Sequence, residues 1–294
     1  MALRSDRLRG ILLMIAAVGI FGVMDALMKS LAATYPPMQI ACLRGASSLP
    51  FVFATCVATG RLGDLRPRLL HLHALRAVIA IAMLWCFIWA LSNMSLANTY
   101  AITLSAPLLV VPCAALLLGE RADRHVWAAI LLGLAGVLVM LKPTASGFVS
   151  LAGLAAFGAA LCWAVIVVMV RILSATEKTA SMVFWFLLML ALGAGALAVP
   201  GWVPIAPGAW PWIALLGLTG WAAQHLVTEA FRLAPASTVA PFEYLSIVWG
   251  ACIDWIVWAT VPGARIFAGA AIVVAAGIYL MHRERYRFPA VPPP

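Results

Sequence analysis

Long apolar runs, separated by short polar stretches, fill this chain from one end to the other. Each run holds about 20 mostly apolar residues, the length with which an α-helix crosses a hydrocarbon core of about 30 Å. Ten runs can be bounded, at residues 10–31, 38–58, 77–96, 98–118, 126–142, 151–173, 180–199, 210–231, 236–259 and 266–282. Strand-like alternation over about 10 residues is absent. The pattern predicts an all-α integral membrane protein with ten transmembrane helices.

The same pattern occurs twice. Residues 90–97, ALSNMSLA, are echoed about 140 positions later by residues 230–237, AFRLAPAS, and each copy holds five spans. An odd number of spans makes the second copy enter the membrane from the opposite side, which is the inverted repeat of many secondary transporters. We therefore predict a first repeat over residues 1–145 and a second over 146–294, in one compact membrane domain.

Composition and charge agree with a membrane protein. The 65% share of hydrophobic residues and the mean hydropathy of +1.05 leave too little polar surface for a water-soluble globule. Of the 19 Lys and Arg residues, 15 fall on one side of the predicted arrangement, including Arg76, and 3 fall on the other, while Arg44 lies inside a span. This bias predicts that both termini are cytoplasmic. Because the cations are spread over many loops, nucleic-acid binding is not expected.

The sequence gives no sign of a metal or cofactor. All six cysteines fall within predicted spans, without the paired spacing of a metal site. The nucleotide-binding pattern G-x-x-x-x-G-K-[ST] is also absent. We predict neither a metal nor a cofactor, and no ATP-driven step.

Several short motifs resemble a known family. They are Ala106-Pro107, Leu116-Leu117-Leu118-Gly119-Glu120-Arg121, Gly133-Leu134-Ala135-Gly136-Val137-Leu138, Ala240-Pro241-Phe242-Glu243-Tyr244, Asp254-Trp255, Pro262 and Ala268-Gly269-Ala270-Ala271. Together they are similar to the EamA branch of the drug/metabolite transporter superfamily, over nearly the whole chain. Within it, the chain looks most like the YddG-type amino acid exporters. One departure is Thr260, which stands where the second half of such proteins commonly has the counterpart of Glu120.

The resemblance implies a fold and a function. It implies two inverted five-helix halves around a central cavity, in a bacterial inner membrane protein that carries amino acids or other small metabolites. The positions that could bind such a cargo are those that are costly to place in a membrane.

A polar stripe on the eighth span is the clearest candidate. Trp221, Gln224, His225, Thr228 and Arg232 recur at steps of three and four residues, which places them along one face of a helix. The stripe either lines a hydrated cavity, with Gln224 and Thr228 as hydrogen-bond partners for the cargo, or forms a polar seam between helices.

Glu243 on the ninth span is the second candidate. It and His225 each lie about seven residues from the same membrane face, roughly 10 Å deep, so the two side chains could meet. Such a pair either couples transport to protons or only stabilises packing. The adjacent Tyr244 is included among the substrate-binding candidates.

Three charged residues lie towards the opposite face. Asp25 and Lys29 are four residues apart on the first span, and Arg44 enters the second span to about the depth of Asp25. An Asp25–Arg44 pair is the simplest arrangement. The three residues either stabilise the structure, form an outer gate, or bind the charged ends of an amino acid.

Aromatic residues complete the candidate substrate site. Trp163 is in the middle of the sixth span and matches Phe21 when the repeats are superposed, and Trp85 and Trp221 also lie deep. These rings either stack on a cargo or pack in the core. Tyr100 and Thr103 share a face with Pro107, which frees a backbone carbonyl for binding or for a hinge.

The leading hypothesis is a monomeric inner-membrane exporter of aromatic and other neutral amino acids, surrounded by lipid and working by alternating access. An alternative is an importer of a flat metabolite such as riboflavin or an S-adenosyl compound. A membrane-embedded enzyme would need a nucleophile and a base in one site. Since His225 is the one histidine predicted inside a span, we do not expect an enzyme.

Overall fold

The structure, a computed structural model, describes residues 2–93, 102–119, 123–141, 150–258 and 263–286. Within these ranges it is helical, with short 3₁₀ segments and without a strand, which confirms the predicted all-α class. The described part contains ten α-helices of 13 or more residues, which are α1 (Ala2–Leu31), α2 (Pro37–Ala58), α3 (Leu70–Asn93), α4 (Ala106–Leu118), α5 (Arg124–Leu141), α6 (Leu151–Ser174), α7 (Thr179–Ala198), α8 (Trp210–Leu233), α9 (Leu245–Trp258) and α10 (Ala264–Tyr286). The predicted boundary between the repeats, 145/146, lies outside the described residues.

Several helices have the length and apolarity of membrane spans. Among the described residues six segments qualify, at Asp6–Leu31, Pro37–Ala58, Leu70–Phe87, Leu151–Ser174, Thr179–Gly201 and Ala236–Val257. Shorter apolar helices occur at Ala106–Leu118, Arg124–Val139 and Phe267–Tyr279. Helix α8 has 24 residues but carries a polar stripe near its C-terminal end. The chain is therefore a multi-pass membrane protein.

The helices pack across the two halves of the chain. Helix α1 packs on α8, α3 packs on α6, α2 packs on α7, and α5 packs on α10. The largest apolar core is formed where α1, α4, α5, α6 and α8 meet the segment that precedes α9. Most of the interior is thus built from contacts between a helix of one half and a helix of the other.

Helices α2 and α7 cross at Gly45. A methyl group at this position would lie 2.8 Å from the carbonyl oxygen of Leu187 and 2.9 Å from Cβ of Ala191. Such distances are shorter than carbon atoms tolerate, so the glycine lets the two backbones approach.

The fourth helix of each half departs from the predicted continuous span. Between Ile102 and α4 the helix is interrupted by a turn, and Pro107 lies in the first turn of α4 rather than inside it. In the second half, a short helix (Ala236–Val239) runs into a 3₁₀ segment (Ala240–Tyr244) before α9 begins. Pro241 has no amide hydrogen for the i to i−4 ladder, which explains the change of helix type. The predicted span 236–259 is therefore wrong as a single α-helix.

Two predicted loop residues lie inside the bundle. Helix α3 begins at Leu70, seven residues before the predicted span, so His73 and Arg76 belong to the helix and are completely buried. The Arg76 guanidinium lies over the Phe186 ring, 4.7 Å from its centroid, and donates a hydrogen bond to the carbonyl oxygen of Met182. The prediction that Arg76 is a loop cation is thus wrong, because polar residues in the first turns of α3 resemble a loop in the sequence.

Glu177 fastens the start of α3 to the start of α7. Its Oε1 accepts hydrogen bonds from the backbone N–H groups of Arg68 at 2.6 Å and Leu69 at 2.9 Å, and lies 3.5 Å from Nε2 of His73. Burial alone would raise the pKa of the Glu177 carboxyl, but these N–H groups and His73 hold that pKa below its ordinary value. We call this arrangement the Glu177 clamp.

A neutral arrangement fastens the start of α8 to the start of α2. Gln39 accepts a hydrogen bond from the Val203 N–H at 2.9 Å and donates one to the Val203 carbonyl oxygen at 2.6 Å. The Tyr35 hydroxyl accepts from the Ala206 N–H at 3.0 Å. We call this arrangement the Tyr35 clamp.

Replacing Gly45 by alanine tests the close crossing of α2 and α7. The added methyl group has to push α7 away, so we expect Gly45→Ala to lower the free energy of unfolding by about 1–3 kcal/mol. The matched control is Gly250→Ala, since a methyl group at Gly250 in α9 would meet no atom within 4 Å. Thermal unfolding of the purified protein in detergent measures both. An unchanged midpoint for Gly45→Ala would contradict the packing described.

The pH dependence of stability tests the Glu177 clamp. A lowered pKa means that the ionised carboxylate stabilises the folded state above the ordinary glutamate range and loses this effect as the pH falls through the lowered pKa. We expect Glu177→Gln to lower the unfolding midpoint at neutral pH and to match the natural protein in acid. Asp64→Asn is the control, because Asp64 lies in the short 3₁₀ helix Leu62–Leu65 and is not part of the Glu177 clamp. A deficit that persists unchanged in acid would speak against the clamp.

Candidate functional site

The 3₁₀ segment before α9 carries a carboxylate into the middle of the protein. Oε2 of Glu243 accepts a hydrogen bond from the indole N–H of Trp163 on α6, with a distance of 2.8 Å between Nε1 and Oε2. Oε1 of Glu243 is buried and has no hydrogen-bond partner among the described residues. The segment that holds Glu243 packs against α1, α4, α5, α9 and α10.

A positive charge lies beside a ring that packs on the same apolar core. The Arg44 guanidinium on α2 lies over the Phe21 ring on α1, with 5.8 Å between Cζ and the ring centroid. Phe21 and Trp163 both pack, partly buried, against the largest core. Nε of Arg44 is buried without a hydrogen-bond partner in the described part of the chain. Arg44 interacts electrostatically with Asp25, whose side chain remains exposed.

The stripe on α8 divides into two kinds of residue. Trp221 stacks on Phe51 of α2, with ring centroids 6.3 Å apart, and lies 6.2 Å from the ring of His225. Gln224 and Thr228 are buried, and the Gln224 amide donates to the Thr228 hydroxyl at 3.4 Å. The structure thus places these two polar side chains in the packing between helices, while the two rings are partly exposed.

The C-terminal end of α8 is held by charged residues. Glu229 accepts hydrogen bonds from Arg232 at 2.5 and 2.9 Å and from the Thr179 hydroxyl at 2.5 Å. Arg171 of α6 donates to the carbonyl oxygens of Phe231 and Arg232, which are free at the end of a helix. These contacts fix α8 relative to α6 and α7.

Two predicted pairs differ in the structure. Glu243 bonds to Trp163, and no hydrogen bond joins either of its oxygens to His225 among the described residues. The depth of a residue along its helix does not determine the direction of its side chain around the helix, which is why that pairing is wrong. Asp25 and Arg44 interact as charges, but they form no direct ion pair in the described part of the protein.

The remaining predicted residues are scattered. Tyr244 is buried, with its ring packed on Gly133 of α5. Trp85 on α3 is 60% exposed and joins none of the ring pairs described above. Thr103 lies beside the turn before α4, Lys29 is exposed near the end of α1, and Tyr100 lies outside the described residues. Of the predicted set, the structure joins Glu243 to Trp163 by a hydrogen bond and packs Trp163 and Trp221 against the same smaller apolar core.

Sequence reasoning missed three buried ionisable groups, His73, Arg76 and Glu177. His73 and Arg76 fall in a predicted loop because the predicted third span begins at residue 77, and Glu177 falls in the loop between the predicted sixth and seventh spans. A signal was present, since His73 and Arg76 are three residues apart and continue the helical repeat of α3.

The arrangement can bind a small molecule that carries both signs of charge. A carboxylate beside Trp163 and a guanidinium beside Phe21 each have one buried atom without a hydrogen-bond partner among the described residues, Oε1 of Glu243 and Nε of Arg44. Burial without a partner is costly for both groups, so a ligand that satisfies them gains binding free energy.

Comparison with known proteins identifies similar transporters. The model of the EamA-like transporter family matches residues 8–142 and again residues 150–282. The chain is 31% identical to the pseudopaline exporter of Pseudomonas aeruginosa, over 94% of this chain and 97% of that protein. It is 27% identical to a riboflavin transporter of Vibrio cholerae, over 97% of this chain and 96% of that protein. A crystal structure that is 20% identical has the same fold, with a TM-score of 0.81 over 95% of this chain and 99% of the other.

A double-mutant cycle tests the bond between Trp163 and Glu243. Trp163→Phe removes the N–H donor but keeps a ring, and Glu243→Met removes the acceptor at similar size. We expect Trp163→Phe to lower the free energy of unfolding less in the Glu243→Met background than in the natural protein, with a coupling of about 1–3 kcal/mol, because in that background no bond is left to break. Denaturant unfolding in mixed micelles measures the four proteins. Effects that add within about 0.5 kcal/mol would show that the bond does not form.

Proposed function

The chain belongs to the EamA-like transporter family, and we propose that it exports amino acids from the cytoplasm by alternating access. Its family and its relatives are membrane transporters of small molecules and not enzymes. The amino acid cargo and the outward direction are our proposal, as is the closer similarity to YddG-type exporters. The chain acts as a monomer in a bacterial inner membrane.

The proposed architecture is ten membrane crossings in two inverted halves, residues 1–145 and 146–294, with both termini in the cytoplasm. The packing supports it, because exchanging the halves converts the contact of α1 with α8 into that of α6 with α3. The same exchange leaves the pairs α2 with α7 and α5 with α10 unchanged. An internal pseudo-two-fold axis would produce this pattern.

The two clamps also support inverted halves. Glu177 and Tyr35 are 142 positions apart, the same separation as Arg171 and Lys29. Each directly precedes the second helix of its half and accepts hydrogen bonds from the backbone that precedes a third helix of the other half. Equivalent residues therefore perform equivalent tasks at what we propose are opposite faces of the membrane.

The observation that carries the amino acid proposal is the pair of opposite charges around the aromatic rings. Glu243 suits an ammonium group and Arg44 suits a carboxylate, since a guanidinium matches the geometry of a carboxylate. Phe21, Trp163 and Trp221 offer apolar faces to the side chain of the cargo. A neutral amino acid has these features together in one small molecule.

Riboflavin is the second candidate, favoured by the 27% identity to a riboflavin transporter and by the rings of the site. A flavin ring would use the aromatic surfaces, yet it carries neither an ammonium group nor a carboxylate to satisfy Glu243 and Arg44. The similarity to a relative named as an exporter supports the outward direction. We therefore place amino acid export first.

The interruptions before α4 and α9 fit alternating access. Discontinuous helices in corresponding positions of the two halves are a feature of transporters whose cargo binds near the middle of the membrane. Both interruptions lie next to a proline, and the second one carries Glu243. We propose that the halves move relative to one another about this region.

Counterflow of labelled amino acids in proteoliposomes tests the proposed function. We expect saturable uptake of labelled phenylalanine or tryptophan against unlabelled amino acid inside, and a fall of about tenfold in Trp163→Ala because a stacking surface is lost. Trp202→Ala is the matched control, since Trp202 follows α7 and is 42% exposed. Uptake of no amino acid above that of protein-free vesicles would refute the proposal. Uptake of labelled riboflavin alone would favour the second candidate.

A further inference from the structure

Glu243 is a buried carboxylate that the described structure leaves half satisfied. Trp163 supplies one hydrogen bond to Oε2, and Oε1 has no partner. A single neutral donor is little compensation for a carboxylate removed from water, where both oxygens accept several hydrogen bonds. A positively charged group or a proton would therefore stabilise the Glu243 carboxylate.

The elements around Glu243 do not supply that charge from their described residues. The groups that act on Glu243 are Trp163 and the neighbouring Tyr244. The helices that pack against its segment carry other charged or titratable groups, which include Asp6, Arg7, Arg9, Asp25 and Lys29 on α1, Arg124 and His125 on α5, and Arg265, Tyr279 and His282 on α10. Asp25 interacts with Arg44, and His125 bonds to Tyr279 at 2.6 Å. None of them is bonded to Glu243.

The position of Glu243 suits a group that changes partner. It lies in the 3₁₀ segment Ala240–Tyr244, which contains Pro241, and not in the rigid middle of an α-helix. Trp163, which holds one oxygen in place, packs at the same time against both of the larger apolar cores. Trp163 thus fixes the position of the Glu243 carboxylate, and Oε1 of Glu243 is left without a hydrogen bond.

We propose that a proton and the ammonium group of the cargo compete for Glu243, so that each cargo molecule leaves in exchange for one entering proton. This rests on the proposed transport function. Glu243 binds the ammonium group of the cargo while the site turns outward, and it binds a proton while the site turns back. The site does not change sides with an ionised and unpaired Glu243, because such a charge is costly inside the membrane. A zwitterion has no net charge, so one positive charge enters in each cycle.

The exchange makes a direct prediction for transport. In proteoliposomes, a pH gradient that drives protons towards the cargo is expected to accelerate amino acid efflux about tenfold per unit of gradient in the natural protein. Glu243→Gln cannot take up or release a proton and should lose this acceleration. Glu229→Gln is the matched control, because that carboxylate is tied to Thr179 and Arg232 at the end of α8. Acceleration that survives in Glu243→Gln would overturn the proposal.

A second measurement does not depend on amino acid transport. Infrared difference spectra over about pH 4 to 9 detect the carbonyl band of a protonated carboxylic acid, and the band missing from Glu243→Gln belongs to Glu243. We expect phenethylammonium, which has a cationic group and a ring, to diminish this band by displacing the proton. If phenethylammonium leaves the band unchanged, competition does not occur. If the band responds while no amino acid moves, the exchange site stands and the proposed cargo is wrong.

Discussion

The constraint on which the rest of this structure depends is that backbone polar groups need partners where water is excluded. An α-helix satisfies them within itself, and an interruption is tolerated only where protein encloses it. The 3₁₀ segment Ala240–Tyr244 is enclosed in this way by helices of both halves, and it is there that Glu243 meets Trp163. The interruption and the functional carboxylate therefore occur in one place for one physical reason.

The same constraint explains why side chains form hydrogen bonds with backbone groups near the ends of the helices. The Glu177 clamp and the Tyr35 clamp each satisfy backbone N–H groups that a helix start leaves free, and Arg171 satisfies carbonyl groups at the end of α8. The two clamps join segments from different halves, whereas the Arg171 contacts join α6 to α8 within the second half. We propose that movement is concentrated in the interrupted segments, which lack a continuous α-helical ladder. The Glu177 clamp contains a carboxylate and the Tyr35 clamp is neutral, so the two clamps respond differently to pH.

Much of the fold was predictable because apolar length and the repeat are strong signals. The predicted bounds fail where polar residues enter a helix, as with His73 and Arg76 at the start of α3, or where Pro241 changes the helix type inside an apolar run. For the candidate site, the sequence singled out Trp163 and Glu243 separately and could not join them. Contact between two helices depends on their rotation and crossing, which spacing within either helix does not contain. The contact between Arg44 and Phe21 was not predicted for the same reason, since the two residues lie on different helices.

We propose that the rings of Phe21 and Trp163, which pack against the same apolar core, become accessible in turn from each side of the membrane. A variant with Phe21→Cys, in a background from which the six native cysteines have been removed, tests it with a thiol reagent that does not cross membranes. The reagent is applied to right-side-out vesicles and to inside-out vesicles. The account predicts that this cysteine reacts from both sides and that amino acid cargo slows the reaction from each. Reaction from one side only, with and without cargo, would contradict it.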